Sequence, residues 1–177
     1  MRATDESALG QSALGLPRVF VYGTLMPGER WETVARQGGT YDAQPATLHG
    51  AVLADLRPEG YPALFEARQF EATQFEAANS ASEVHGWLYS YTAESWPRAL
   101  PFLDELEGVQ LSPPLYRRSE VMVQTGSAEV QAWAYFYARP ARRNAPGFEI
   151  IASGRWAEMQ GRHLEGPRQT WDDQGGT

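Results

Sequence analysis

The 177-residue sequence contains no cysteine. This absence excludes a disulfide scaffold, a thiolate nucleophile and a zinc site with cysteine ligands. Histidine is also scarce: it occurs only at His49, His85 and His163, and no two of these have the spacing of metal ligands. We therefore interpret the histidines as ordinary polar residues and expect no metal site.

Basic residues are fewer than acidic residues. Fifteen Lys and Arg residues face 22 Asp and Glu residues, which gives a formal net charge of -7. A surface that binds a phosphate backbone needs clustered basic residues, so we expect no nucleic-acid partner. No apolar run is long enough to cross a membrane, and the first ten residues, MRATDESALG, lack the pattern of a signal peptide. We expect a soluble, cytoplasmic protein that needs no membrane; the oligomeric state stays open.

Apolar residues make up 42% of the chain and aromatic residues 12%, enough for one globular domain with a sizeable core. The composition turns small and polar towards both ends. It predicts a disordered arm at 1–17, one domain at 18–160 and a flexible tail at 161–177.

The order of strand-like and helix-like segments indicates the fold class. Strand patterns occur at 18–22, 47–56, 61–65, 83–91, 117–124, 130–138 and 148–151, and helical patterns occur at 27–37 and 94–108. Residues 66–82 read as a surface excursion, either a loop or a fragment of helix. Because most strands follow one another without an intervening helix, we predict an α+β fold: a small, curled, mixed but mostly antiparallel β-barrel with short flanking helices.

The segment RVFVYGTLMPG, at 18–28, begins as an uncharged strand suited to burial on both faces. Gly23 then permits a sharp turn and a close approach by another group. Two interpretations are open. The segment is either a core strand that ends in an ordinary turn, or a strand whose following loop directs backbone N–H groups towards an anion or a developing negative charge.

Glu107 stands out in the second helical segment. The helical period puts the apolar residues of this segment on one face: Trp96, Ala99, Leu100, Leu103 and Leu106. Glu107 lies on that same face, whereas Asp104 and Glu105 are predicted to point to solvent. Glu107 is either an edge residue that reaches water or a half-buried acid. Burial and the helix C-terminus would both raise its pKa and make it a usable general base.

Together these segments resemble the gamma-glutamylcyclotransferase-like family. The family's first motif appears here as Val19-Phe-Val-Tyr-Gly-Thr-Leu25, and its second as Leu103-Asp-Glu-Leu-Glu-Gly108, followed by Tyr116-Arg-Arg118. The resemblance extends over about residues 18–140. It is strongest towards the AIG2-like branch, which includes gamma-glutamylamine cyclotransferases.

The resemblance implies a small curled barrel and an enzyme that converts a γ-glutamyl amide into 5-oxoproline and a free amine without a cofactor. It places the general acid/base at Glu107. The loop that holds the substrate would consist of Tyr22, Gly23, Thr24 and Leu25. Tyr116 is expected to line the cavity, although packing explains this residue equally well. The loop at 109–115 is a candidate for shaping the space around the leaving group.

Two other functions stay open. The same fold could serve as a non-catalytic module that binds a ligand or a partner. The polar termini could also recruit a partner, although no specific motif in them supports this.

Overall fold

The secondary structure of the computed structural model largely follows the apolar pattern of the sequence. The structure describes residues 17–70, 82–126 and 128–159. The strands are β1 (Arg18–Val21), β2 (Tyr41–His49), β3 (Ala51–Leu56), β4 (Tyr61–Glu66), β5 (Glu83–Tyr91), β6 (Tyr116–Thr125), β7 (Ala128–Tyr137) and β8 (Phe148–Ile150). The α-helices are α1 (Glu32–Arg36) and α2 (Trp96–Leu106), and short 3-10 helices cover Ala67–Gln69, Pro140–Asn144 and Trp156–Met159.

Five strands close into a barrel in the order β1-β5-β2-β6-β7. The barrel closes where β1 runs parallel to β7, at Val19 and Trp133, and its other neighbouring strands are antiparallel. A second antiparallel sheet has the order β4-β3-β8. These features confirm the predicted α+β fold with a mixed, mostly antiparallel barrel.

Gly86 allows β1 to pack closely against β5. It lies inside β5, and a Cβ atom added there would stand 2.1 Å from the carbonyl oxygen of Val21. The register from β2 to β5 is continuous through the pair Ala46 and Gly86, so the strand has no bulge there. A side chain at this position would therefore push β1 away from its neighbour.

Two sequence predictions about element bounds were wrong. The single strand predicted at 47–56 is two strands, the first of which already begins at Tyr41. Gly50 separates them, because it takes a φ of +72° and sends β3 into the second sheet. The helix predicted to start at Pro27 starts at Glu32. The residues before it form turns instead, which the bond from the Trp31 N–H to the Thr24 carbonyl (2.8 Å) stabilises.

The helix that carries Glu107 agrees with its sequence pattern. Its buried residues are Trp96, Ala99 and Leu103. Pro101 lies inside the helix without ending it, and Gly108 follows with a left-handed φ of +61°.

The predicted arm at 1–17 lies outside the described residues except for its last position, and the predicted tail at 161–177 lies outside them entirely. The excursion at 66–82 is described only at 66–70 and 82. Within the described part of the chain, no helix has the length and apolar character needed to cross a membrane.

Candidate active site

A small cavity opens between the loop after β1 and the C-terminal end of α2. Its lining comprises Phe20, Val21, Tyr22, Gly23, Thr24, Leu25, Arg30, Trp31, Tyr61, Pro62, Leu106, Glu107, Leu115, Tyr116 and Tyr135. Its volume is about 50 Å³, which suits a few heavy atoms, since one water needs roughly 10–15 Å³ on this measure. The cavity can therefore enclose the polar end of a small molecule but not a bulky group.

The loop at 22–25 forms one wall of the cavity. The buried Tyr22 donates a hydrogen bond of 2.5 Å from its hydroxyl to the carbonyl of Tyr135. Gly23 packs against Pro62 so closely that an added Cβ would lie 2.1 Å from the Pro62 Cγ. Among the residues that the structure describes, no backbone carbonyl accepts a hydrogen bond from the N–H of Thr24 or Leu25. Both residues line the cavity, so their N–H groups are candidate donors to a bound molecule.

Glu107 also lines the cavity, from the C-terminal cap of α2. Its backbone N–H donates to the carbonyl of Leu103 at 3.0 Å, so the residue continues the last helical turn. The residue keeps part of its surface accessible and lines the cavity. Burial, and secondarily the charge of Asp104, raises the pKa of Glu107 to about 8. A carboxyl of this kind changes its protonation state near neutral pH.

Asp104 does not point to solvent, contrary to the sequence prediction. It accepts two hydrogen bonds from Arg118, of 2.6 and 2.7 Å, and one of 2.7 Å from the Tyr135 hydroxyl. Arg118 also stacks over the ring of Trp133, with 5.1 Å from its central carbon to the ring centroid. Residues of β6 and β7 thus fix the carboxylate that precedes Glu107 by one helical turn.

Three tyrosines line the cavity together with Glu107 and lie close enough to be affected by its charge. Burial raises the pKa of Tyr22, Tyr116 and Tyr135 well above the ordinary value, and the charge of Glu107 raises each of them further. Each hydroxyl already donates a hydrogen bond. Tyr22 donates to the carbonyl of Tyr135, Tyr116 donates to the carbonyl of Pro62, and Tyr135 donates to the carboxylate of Asp104. These phenols stay protonated, so Glu107 is the group among them that can act as a base.

The structure brings all the sequence-predicted site residues to one cavity: Tyr22, Gly23, Thr24, Leu25, Glu107 and Tyr116. Sequence reasoning missed Arg30, which also lines the cavity, and missed the pairing of Asp104. Tyr135 lies in the aromatic run at 132–138, which predicts a central strand but does not distinguish a cavity wall from core.

A second cavity, of about 520 Å³, shares Tyr116 with the first. Val109 and Pro114 contribute to its lining, so part of the loop at 109–115 does border open space beside the site. Within the described ranges, no group of three or more His, Cys, Asp and Glu residues is arranged to hold a metal ion.

Solved structures share this fold. An AIG2-like protein from Mus musculus is 21% identical, with a TM-score of 0.57 over 88% of this chain and 98% of that one. An uncharacterised protein from Pyrococcus horikoshii is 18% identical, with a TM-score of 0.53 over 85% and 97%. An allophanate hydrolase from Kluyveromyces lactis is 16% identical, and the chain covers only 22% of its length, with a TM-score of 0.56 over 88% of this chain.

At these identities the likenesses show the fold alone. No curated protein sequence matches the chain significantly. The family model described as gamma-glutamyl cyclotransferase, AIG2-like, matches residues 19–158. This match spans most of the chain and includes both the loop at 22–25 and Glu107. The chain therefore belongs to the gamma-glutamyl cyclotransferase, AIG2-like family.

Proposed function

We propose that the protein is a cyclotransferase that cleaves a γ-glutamyl amide into 5-oxoproline and a free amine, with Glu107 as the general acid/base. One observation carries the proposal: a carboxyl with a pKa of about 8 lines the same small cavity as Thr24 and Leu25, whose N–H groups bond to no backbone carbonyl of the described residues. A base and hydrogen-bond donors in one cavity are what an intramolecular acyl transfer requires.

The substrate's own α-amine is the nucleophile. Glu107 takes a proton from the α-ammonium, the amine nitrogen bonds to the γ-carbonyl carbon, and a five-membered ring closes. The proton held by Glu107 passes to the amide nitrogen as the bond from that carbon to this nitrogen breaks. The ring nitrogen then gives its second proton to the Glu107 carboxylate, which passes it to the released amine, so that the amine leaves as an ammonium ion and Glu107 is again ionised. Atoms and protons balance without a serine or cysteine nucleophile and without a cofactor, consistent with a chain that has no cysteine.

The raised pKa of Glu107 suits this transfer. An α-ammonium group is a much weaker acid than an ordinary carboxyl group, and its proton moves more readily to a base whose pKa has been raised towards that of the donor. A normal glutamate would be a much weaker base towards it. The three phenols add a complementary surface, because each hydroxyl oxygen can still accept a hydrogen bond from an ammonium group.

The loop at 22–25 stabilises charge at the carbonyl. As the ring closes, the γ-carbonyl oxygen becomes negative, and backbone N–H groups of Thr24 and Leu25 would donate to it. Gly23 keeps this loop against Pro62, so the donors are fixed before the reaction. Fixed donors contribute more to the rate than donors that must reorient.

Product analysis tests the proposal against its two nearest alternatives. The protein is incubated with a γ-glutamyl alkylamide, and the products are identified by mass spectrometry. The proposal predicts 5-oxoproline and amine in equal amounts, and no reaction of the substrate whose α-amine is acetylated. Release of glutamate would indicate a hydrolase. Binding of the amide without any product would indicate a non-catalytic binding module, and either result would overturn the proposal.

A further inference from the structure

Arg30 is the cationic side chain of the described cavity lining, as Glu107 is its acidic one. Arg30 is exposed and lies in the turns between the loop at 22–25 and α1. Its guanidinium donates one hydrogen bond of 3.2 Å to the carbonyl of Gly60 and lies over the ring of Trp31, at 5.6 Å from the centroid. Both partners are neutral, so they leave its charge uncompensated.

The charge of Arg30 is also unmatched by acids nearby. Among the residues that the structure describes, no carboxylate lies within ion-pair distance of its guanidinium. In contrast, Arg118 pairs with Asp104 and Arg142 pairs with Glu59. A guanidinium has five N–H donors in a planar fork that matches a carboxylate, and within the described part of the chain the hydrogen bond to Gly60 engages only one nitrogen of Arg30.

We propose that Arg30 is a positioning residue that binds the α-carboxylate of the substrate, so that the α-amine on the same carbon is presented to Glu107. The inference rests on the proposed function and assigns the recognition of one substrate group within it. An α-amino acid carries an anion and a cation on one carbon, and the cavity offers a cation and an acid that are not paired with each other.

Three contacts then fix the substrate's α-carbon: the carboxylate at Arg30, the amine at Glu107, and the chain that leads to the γ-carbonyl at the loop. Three different contacts are needed to distinguish the two mirror forms of such a carbon. The site should therefore prefer one enantiomer, and that preference should depend on Arg30. Correct placement of the amine also brings the attacking nitrogen close to the γ-carbonyl before reaction.

The test compares substrates with and without the carboxylate. Rates are measured for a γ-glutamyl propylamide and for 4-amino-N-propylbutanamide, which lacks only the α-carboxylate and would cyclise to 2-pyrrolidinone. The proteins are the wild type, Arg30→Gln, Arg30→Lys and Arg98→Gln, the last being an exposed arginine on α2 outside the cavity. Thermal unfolding of each variant reports on its fold.

Arg30→Gln should lower kcat/KM for the γ-glutamyl amide by about 10-fold to 100-fold, the value of a charge-assisted contact, chiefly through KM. The same change should leave kcat/KM for 4-amino-N-propylbutanamide unaltered, and it should weaken the preference between the two enantiomers of the γ-glutamyl amide. Arg30→Lys should restore part of the loss, and Arg98→Gln should behave as the wild type. An equal loss on both substrates would show that Arg30 acts only through Gly60 and the loop, and no loss on either would also overturn the inference.

A binding measurement separates this inference from the proposed reaction. Titration calorimetry with 5-oxoproline and with 2-pyrrolidinone, which differ by the same carboxylate, requires no turnover. If the wild type is inactive yet binds 5-oxoproline more tightly and loses that advantage on Arg30→Gln, the proposed function fails and the carboxylate site stands. If 5-oxoproline binds no better than 2-pyrrolidinone, or if Arg30→Gln leaves its advantage intact, the carboxylate site is wrong.

Discussion

Asp104 lies one helical turn before Glu107, and its negative charge helps to raise the pKa of Glu107 to about 8. The same carboxylate is held in place by Arg118 and by the hydroxyl of Tyr135. The two acids of the LDELEG segment therefore have different environments. One is compensated by a cation, and the other is largely desolvated beside the cavity.

Asp104→Asn should lower the pKa of Glu107. Removing a nearby negative charge makes ionisation of Glu107 easier, so the rising limb of the profile of kcat/KM against pH should move to lower pH. Glu105→Gln, an exposed change on the same helix, should leave that limb in place. A limb that stays fixed or moves to higher pH in Asp104→Asn would contradict this electrostatic role.

Arg118→Gln should have the opposite effect on the pH profile, because Asp104 would lose its compensating charge. The variant should also cost about 1–3 kcal/mol of unfolding free energy, as a partly buried carboxylate loses a charged partner. Arg117→Gln is the matched control: this neighbouring arginine is more exposed and stands 3.8 Å from Glu66, so its loss should cost less than about 0.5 kcal/mol. Urea unfolding measures the loss of unfolding free energy in each variant. Similar losses in Arg118→Gln and Arg117→Gln would argue against the pairing of Arg118 with Asp104.

Glu107→Gln should stabilise the fold at alkaline pH. The folded-state pKa of about 8 lies above the ordinary value of 4.5, so between these two values the folded state binds more protons than the unfolded state. The unfolding free energy of the wild type must then fall as pH rises through that window. Glutamine does not ionise, so it causes no such fall in the unfolding free energy of the variant.

The two proteins should therefore be similar near pH 4.5, and the variant should be more stable at pH 9. The difference should be a few kcal/mol at most, because each pKa unit is worth about 1.4 kcal/mol and Glu107 keeps some solvent contact. Thermal unfolding across this pH range measures it. A difference that does not grow with pH would mean that Glu107 ionises normally in the folded protein.

Gly86→Ala should be strongly destabilising. The added methyl group would meet the Val21 carbonyl oxygen at 2.1 Å, an obstacle that belongs to the backbone of β1, so we expect a cost of about 3 kcal/mol. Gly126→Ala provides the comparison. Its Cβ would enter open space, and only the left-handed φ of +53° opposes it, at a cost of about 1 kcal/mol. If both variants lose the same amount of unfolding free energy, β1 can move aside to accept the added methyl group.

The sequence predicts much of the fold and part of the site, for identifiable reasons. Helical periodicity is a local property, and it places Glu107 on the apolar face of α2. Periodicity cannot show that Asp104 meets Arg118 and Tyr135, because those partners come from β6 and β7. Arg30 is missed for the same reason: its place at the cavity depends on turns that the sequence suggests should be helix. The parts of the site that the sequence did not predict are therefore those that depend on contacts between residues far apart in the chain.

The most direct test of the central claim is the rate of 5-oxoproline release from a γ-glutamyl amide at pH 8, compared between Glu107→Gln and Glu105→Gln. The two changes replace the same carboxyl group by an amide two residues apart, one at the cavity and one on the exposed face. We predict that Glu107→Gln lowers the rate by about 100-fold to 10,000-fold, the contribution of a positioned acid/base. Glu105→Gln should match the wild type. A Glu107→Gln variant that keeps full activity would contradict the account.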